Sequence, residues 1–183
     1  TQKVQEAVRL EFPAARTLRM DRDTMAKKGA PGDTLRAIRR GDAAILLGPQ
    51  IVAKGLDFPN VTLVGVVSAD TALNVPDFRS AERAFQLLTQ VAGRAGRGTR
   101  LGEVIIQTFN PDHESVKRAS QHDYISFYGD EIGQRREVGY PPFVSLANLV
   151  ISEEDEALTQ HRAEQLALSI RELVDSAGST IGV

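Results

Sequence analysis

Two apolar runs without polar alternation, residues 43–47 and 61–67, constrain the fold most strongly. A strand with one face in water alternates apolar and polar residues. A strand of a parallel sheet is covered by helices on both faces and therefore reads as continuous apolar sequence. Segments with helical spacing flank both runs. The chain is therefore predicted to be an α/β protein, with a mainly parallel sheet whose strands are buried on both faces.

Shorter patterns predict the neighbouring elements. Val4, Ala7, Val8 and Phe12 share one face of a helix that Pro13 ends. The same reasoning predicts strands over residues 15–20 and 103–108 and helices over residues 34–40 and 80–92.

The sequence changes character near residue 110. A polar helical stretch follows, and residues 139–143, with one Gly and two Pro, break it. A strand is predicted over residues 144–151, and Ser152 is expected to cap a long helix after it. The predicted organisation is an α/β domain over residues 1–110, a helical connector over residues 111–143 and the truncated start of an α+β domain over residues 144–183.

Charge is distributed unevenly along the chain. Residues 1–110 carry 16 Lys and Arg against 11 Asp and Glu, a balance of +5, whereas residues 111–183 carry 6 against 13, a balance of −7. A basic first part could meet phosphates, although two solvated surfaces of opposite sign explain the same numbers.

Composition excludes several kinds of site. With no Cys, disulfides and thiolate metal sites are ruled out, and three scattered His are a poor basis for a metal site. No apolar run approaches the ~18 residues of a membrane span, and no charged-then-apolar leader opens the chain. We therefore expect a cytoplasmic protein without membrane contacts.

The most informative segment is residues 90–98, which read Gln-Val-Ala-Gly-Arg-Ala-Gly-Arg-Gly. Arg94 and Arg97 lie three residues apart at the end of a predicted helix, and the interleaved glycines let a ligand approach the backbone. A guanidinium suits phosphate because it is planar, always charged and able to bond two oxygens. The alternative interpretation is an ordinary helix C-terminus, where Gly ends the helix and Arg balances the dipole.

A second segment, residues 48–59, directly follows the first apolar run. Ligands of α/β sheets bind outside the carboxyl ends of strands, which is where this loop begins. Lys54 offers a cation, Gly55 an unobstructed backbone, and Asp57 a carboxylate that could accept from a ribose hydroxyl. Taken alone, Gly-x-Asp after a strand is usually a turn.

Together these segments resemble the paired late motifs of superfamily 2 helicases. Six motifs are similar in order and spacing to those of the primosomal replication-restart helicases, the primosomal protein N′ family. They occupy residues 20–24, 52–64, 76–83, 90–97, 107–113 and 140–143.

The resemblance implies most of the second RecA-like lobe of an ATP-dependent 3′–5′ DNA helicase that acts in replication restart and primosome assembly at stalled forks. ATP and Mg²⁺ would be bound mainly by a first lobe, whose motifs do not occur here. Arg97 and Arg94 match the arginine fingers that stabilise charge on the γ-phosphate. Gln90 begins the same motif and helps to organise the attacking water. The chain alone is expected to be inactive.

Departures from the family pattern affect the DNA-facing side. The family usually has Thr where this chain has Pro49, which offers phosphate neither a hydroxyl nor an N–H. The family also binds zinc through a cysteine insertion that this chain lacks, so no metal site is expected. The remaining implied contacts are Gly55, Asp57 and Gly93 with ATP and Gln50 and Lys54 with the DNA backbone.

The resemblance implies forked or single-stranded DNA, single-stranded DNA-binding protein and other primosome proteins as partners. It also places Thr1 inside the second lobe and Val183 inside the C-terminal domain. The alternative function is a non-catalytic scaffold that binds DNA or partner proteins. The arginine pair favours the motor, whereas Pro49 favours the scaffold.

Aromatic residues near the connector admit two interpretations. Residues 140–143, Tyr-Pro-Pro-Phe, are predicted to be a rigid connector that leads into a strand rather than a polyproline ligand or a base-stacking platform. Tyr124, Phe127 and Tyr128 lie at helical spacing, which favours packing in the core or between domains over base stacking.

Overall fold

The computed structural model describes residues 2–21, 30–49, 61–93, 95 and 102–178. The chain divides into two compact units, Thr1–Tyr140 and Pro141–Val183. The first unit contains, in chain order, α1 (Gln2–Glu11), β1 (Thr17–Arg19), α2 (Ala30–Arg39), β2 (Ile45–Leu47), β3 (Leu63–Val66), α3 (Asp70–Leu73), α4 (Ser80–Ala92), β4 (Glu103–Ile106), α5 (Glu114–Ser120) and α6 (Tyr124–Glu137); the second contains α7 (Glu156–Ala177).

The described strands form two parallel pairs. β1 pairs with β2, with Thr17 opposite Ile45, and β3 pairs with β4, with Val64 opposite Val104. Parallel strands need a crossover connection, and here helices follow β1 and β3 in the sequence before the partner strand begins. The α/β class and the parallel strand direction predicted from the sequence are thus confirmed.

The prediction that the apolar run over residues 61–67 forms a strand buried on both faces is wrong for β3, and its partner β4 has the same exposure pattern. Both strands alternate between exposed and half-buried residues, and the side chains of Leu63 and Ile105 are 57% and 53% exposed. Val66 and Ile106 pack against the core on the other face. A continuous apolar run is typical of a strand that helices cover on both faces. Within the described residues, the core covers this pair of strands on one face.

The core of the first unit lies where α4, α5 and α6 meet. Phe85 of α4 and Phe127 of α6 stack with their ring centroids 4.1 Å apart and their planes 2° from parallel. Each ring is 4% exposed, so the pair combines a large buried apolar area with a specific aromatic contact. Phe127 is therefore a core residue as predicted, whereas Tyr124 and Tyr128 are 62% and 54% exposed.

The helical stretch after residue 110 consists of two helices rather than one. The side chain of His113 caps α5 by accepting from the Ser115 N–H at 3.2 Å. The carboxylate of Asp123 caps α6 by accepting from the Ser126 N–H at 3.0 Å. Between them His122 adopts φ 55°, a left-handed conformation that interrupts the helical path.

The strand predicted over residues 144–151 is not formed. A strand needs a partner edge, and the described residues of the second unit contain no other strand to provide one. α7 begins later than predicted because Asp155, not Ser152, is its cap and accepts from the Leu158 N–H at 3.1 Å. None of the helices within the described residues has both the length and the apolar content needed to cross a membrane.

Candidate functional site

The structure describes two of the predicted site residues, both at the end of α4. Gln90 lies in the last turn with an exposed side chain, and Gly93 is the residue that ends the helix. Pro49, the departure from the family pattern, is also described and is exposed two residues after β2. The other predicted site residues, Gln50, Lys54, Gly55, Asp57, Arg94 and Arg97, lie outside the described residues.

The backbone conformation at Gly93 does not require glycine. Its φ of −69° and ψ of 4° are open to any L-residue, and its N–H donates to the carbonyl oxygen of Thr89 at 3.0 Å. A Cβ built at this position would lie 3.5 Å from that carbonyl oxygen, an ordinary van der Waals contact. Gly93 thus ends the helix, as the alternative interpretation of this segment expects, but with right-handed rather than left-handed backbone angles.

The core face of α4 sets the direction in which Gln90 points. Ala84, Phe85 and Leu88 are buried, and Leu88 is 1% exposed. Gln90 is two residues beyond Leu88, which at 3.6 residues per turn is about 200° further around the helix. No carboxylate occurs between residues 86 and 93. The end of α4 therefore presents an amide, without a nearby acidic side chain of its own, on its face away from the core.

The carboxyl ends of β1 and β2 lie side by side, because the two strands are parallel. The N–H of Met20 donates to the carbonyl oxygen of Leu47 at 2.8 Å, and Met20 is 1% exposed. The segment that begins at Met20 and the loop that begins after Leu47 therefore leave the strands at the same edge. The expected position of the loop outside the carboxyl end of a strand is confirmed for its first residues, up to Pro49.

Asp70 organises the corresponding edge of β3 and β4. Its carboxylate accepts from the Thr108 hydroxyl at 2.9 Å and from the Phe109 N–H at 3.2 Å. Desolvation raises the pKa of Asp70, but these hydrogen bonds outweigh it and hold the pKa below its ordinary value of 3.8. Sequence reasoning missed this residue. The available signal was an Asp opening a short helix directly after a predicted strand.

We expect Asp70→Asn to lower the midpoint of thermal unfolding at pH 7, with the difference shrinking as the pH falls. The pKa is depressed in the folded state, so the carboxylate's contribution is present above the unfolded value of 3.8 and is lost as the pH falls through the folded value. Thermal melts of both proteins between pH 7 and pH 3 measure this. A difference that stays constant with pH would contradict a charge-dependent role.

An aromatic and ionic cluster lies at the opposite end of α4. The guanidinium carbons of Arg79 and Arg135 lie over the Phe78 ring, 5.2 Å and 5.1 Å from its centroid. The Tyr140 ring lies 5.6 Å from it. Arg135 also pairs with Glu82 of α4 at 2.9 Å. These contacts attach the last turn of α6 and the residues after it to the start of α4.

Comparison with known proteins gives a consistent result. Residues 3–99 match the helicase conserved C-terminal domain family. The chain is 54% identical over 167 residues to the replication restart protein PriA of Bacillus subtilis (strain 168), an alignment that covers 91% of this chain and 21% of that protein. It is 43% identical over 182 residues to PriA of Synechocystis sp., covering 100% of this chain and 22% of the relative. For PriA of Haemophilus influenzae the identity is 39% over 167 residues, with 91% and 23% covered.

The extent of these matches differs between the family and the relatives. The chain spans about a fifth of the length of these curated relatives, whereas the family match covers more than half of the chain. The relatives align over 91% to 100% of its residues. The chain therefore belongs to the helicase conserved C-terminal domain family, in the form found in the replication restart protein PriA.

Proposed function

We propose that this chain is the second motor lobe of an ATP-dependent 3′–5′ DNA helicase that acts in replication restart and primosome assembly at stalled forks. One observation carries the proposal: an exposed Gln90 precedes a Gly93 that the backbone does not require. The absent side chain leaves space at the helix end, which suits the close approach of a phosphate chain. The family match to helicase C-terminal domains supports the same conclusion.

Arg94 and Arg97 follow this helix end directly and supply the positive charge in the proposed site. Transfer of the γ-phosphoryl group spreads negative charge over its oxygens. Arginine fingers stabilise that charge and thereby raise the rate of hydrolysis by about 10³–10⁵. Gln90 would hold the attacking water through its amide. Mg²⁺, bound with ATP mainly by the first lobe, would neutralise phosphate charge. The described part of α4 fits this role because residues 86–93 contain no carboxylate.

The nucleic-acid side of the proposal lies in the loop after β2. Gly55 and Asp57 are proposed to lie near ATP, with Asp57 at the ribose, while Gln50 and Lys54 contact the DNA backbone. Pro49 is exposed at the start of this loop and cannot donate from its backbone. We therefore expect position 49 to add little to DNA binding. Forked or single-stranded DNA, single-stranded DNA-binding protein and other primosome proteins are the proposed partners, in the cytoplasm.

Hydrolysis and unwinding assays on the full-length protein and on this chain test the proposal. The full-length protein should hydrolyse ATP in response to DNA and unwind duplexes from 3′ to 5′. This chain alone should hydrolyse none and should bind DNA weakly, with an affinity that falls steeply as salt rises. Hydrolysis by the chain alone would contradict the division of the site between two lobes. A full-length protein that binds DNA but lacks ATPase activity would favour the scaffold, the function that Pro49 supports.

A further inference from the structure

Two directional contacts hold the first turn of α4, at the end opposite Gln90. The hydroxyl of Ser115, on α5, donates to the carbonyl oxygen of Ala81 at 2.9 Å, and Ser115 is 0% exposed. The Nη2 of Arg135, on α6, donates to the Oε2 of Glu82 at 2.9 Å. Two different helices thus contact consecutive residues of α4.

The contact made by Arg135 is partly buried and has a fixed geometry. Its Nε donates to Oε1 of Glu131, one turn earlier on the same helix, at 2.8 Å, and its side chain is 13% exposed. The guanidinium also lies over the Phe78 ring, 5.1 Å from the centroid. A planar guanidinium held on two carboxylates and a ring has little freedom to turn. Arg135 therefore fixes Glu82 in direction as well as in distance.

The apolar packing of α4 does not provide the same constraint. Burial of apolar area is non-directional, whereas the hydrogen bonds at Ala81 and Glu82 depend on angle as well as distance, so they add a constraint on the first turn of α4 beyond the Phe85–Phe127 stack. An α-helix is stiff and rises 1.5 Å per residue, so Gln90 lies about 12 Å along the axis from Glu82. Any axial shift of the first turn therefore moves Gln90 by the same distance.

We propose that Ser115 and Arg135 are positioning residues for the motor site: they set the axial position of α4 and thereby the position of Gln90. This inference rests on the proposed function, in which the end of α4 faces ATP. Neither residue is proposed to touch the nucleotide. Their effect on the reaction is exerted through the helix they hold.

Arg118 provides a matched control on the same two helices. Its guanidinium contacts Glu114 at 3.2 Å, Asp123 at 3.5 Å and Asp130 at 3.0 Å, which joins α5 to α6. All three of these partners belong to α5, α6 or the turn between them, and none belongs to α4. Weakening this cluster therefore perturbs the same helix pair while the two contacts to the first turn of α4 stay in place.

The experiment compares Ser115→Ala, Arg135→Lys and Arg118→Lys in the full-length protein, with steady-state DNA-stimulated ATP hydrolysis as the readout. The two positioning variants should lower kcat about tenfold and leave KM for ATP within about twofold, because misplacement of reacting groups by fractions of an ångström slows chemistry more than binding. Arg118→Lys should keep kcat within about twofold. Circular dichroism and thermal melts establish the folded fraction, and Glu82→Gln weakens the Arg135 contact from the α4 side, should Arg135→Lys not fold.

The outcomes separate this inference from the proposed function. Wild-type protein without DNA-stimulated hydrolysis would overturn the proposed function itself. Active wild type together with unchanged kcat in the positioning variants would overturn the inference alone. A kcat loss shared equally by Arg118→Lys would show that the effect is general destabilisation, and would overturn it as well. Loss confined to Ser115→Ala, Arg135→Lys and Glu82→Gln supports it.

Discussion

Arg97→Ala in the full-length protein is expected to lower DNA-stimulated ATP turnover by about 10³ or more, the range in which arginine fingers contribute. The guanidinium is proposed to bind γ-phosphate oxygens most strongly when they carry the charge of the transition state. Its loss should therefore reduce kcat far more than it raises KM for ATP. Steady-state hydrolysis at saturating DNA measures both constants. Single-turnover hydrolysis then shows whether the chemical step itself is slowed.

Two further variants isolate the role of the guanidinium fork at position 97. Arg97→Lys keeps the charge but not the planar pair of donors, and it should recover only part of the lost turnover. Arg83→Ala removes an exposed arginine from α4 itself, one that pairs with Asp77 at 2.9 Å. That control should stay within about twofold of wild type, because surface ion pairs contribute little. Near-normal ATP turnover in Arg97→Ala would contradict the assignment of Arg97 as an arginine finger.

Phe127→Ala is expected to destabilise the first unit by about 3–5 kcal/mol, the usual cost of deleting a buried aromatic ring. The ring is 4% exposed and stacks on Phe85 at 4.1 Å, and the partner ring would then border a cavity. Because native domains are stable by only about 5–15 kcal/mol, this loss removes a large part of the margin. Urea unfolding followed by circular dichroism measures the change in the free energy of unfolding.

Tyr128→Ala is the matched control for Phe127→Ala. It deletes an aromatic ring from the adjacent position of α6, but that ring is 54% exposed. Deleting this ring removes little buried apolar area, so the expected loss in the free energy of unfolding is a fraction of that for Phe127→Ala. Equal losses in the two variants would show that the helix rather than the buried ring is being disrupted.

Local sequence patterns predicted most elements because the information they need is local. The bounds of α4 were predicted correctly from its helical spacing, since periodicity shows directly in the residues concerned. The strand over residues 144–151 was wrong for the opposite reason. A strand depends on a partner elsewhere in the chain, and an apolar run carries no information about whether that partner is present. The exposed face of β3 was not predicted for the same reason, since its covering also depends on residues elsewhere in the chain.

The candidate site was predictable where motifs are contiguous. Gln90 and Gly93 were singled out because they belong to one short segment. The contacts that organise the surrounding structure join residues far apart: Arg135 and Glu82 are separated by 53 positions, and Thr108 and Asp70 by 38. Neither pair can be recognised from the spacing of residues within a short segment. Such pairs become visible only when the folded chain brings them together.

The backbone angles of Gly93 have a consequence for natural variation. A Cβ is compatible with the backbone at this position, since φ is −69° and the Cβ would lie 3.5 Å from the carbonyl oxygen of Thr89. The backbone therefore does not require glycine here, and alanine would be favoured over glycine on entropic grounds. If glycine recurs at position 93 among related genes, these backbone angles do not explain it, whereas the proposed approach of a phosphate chain does.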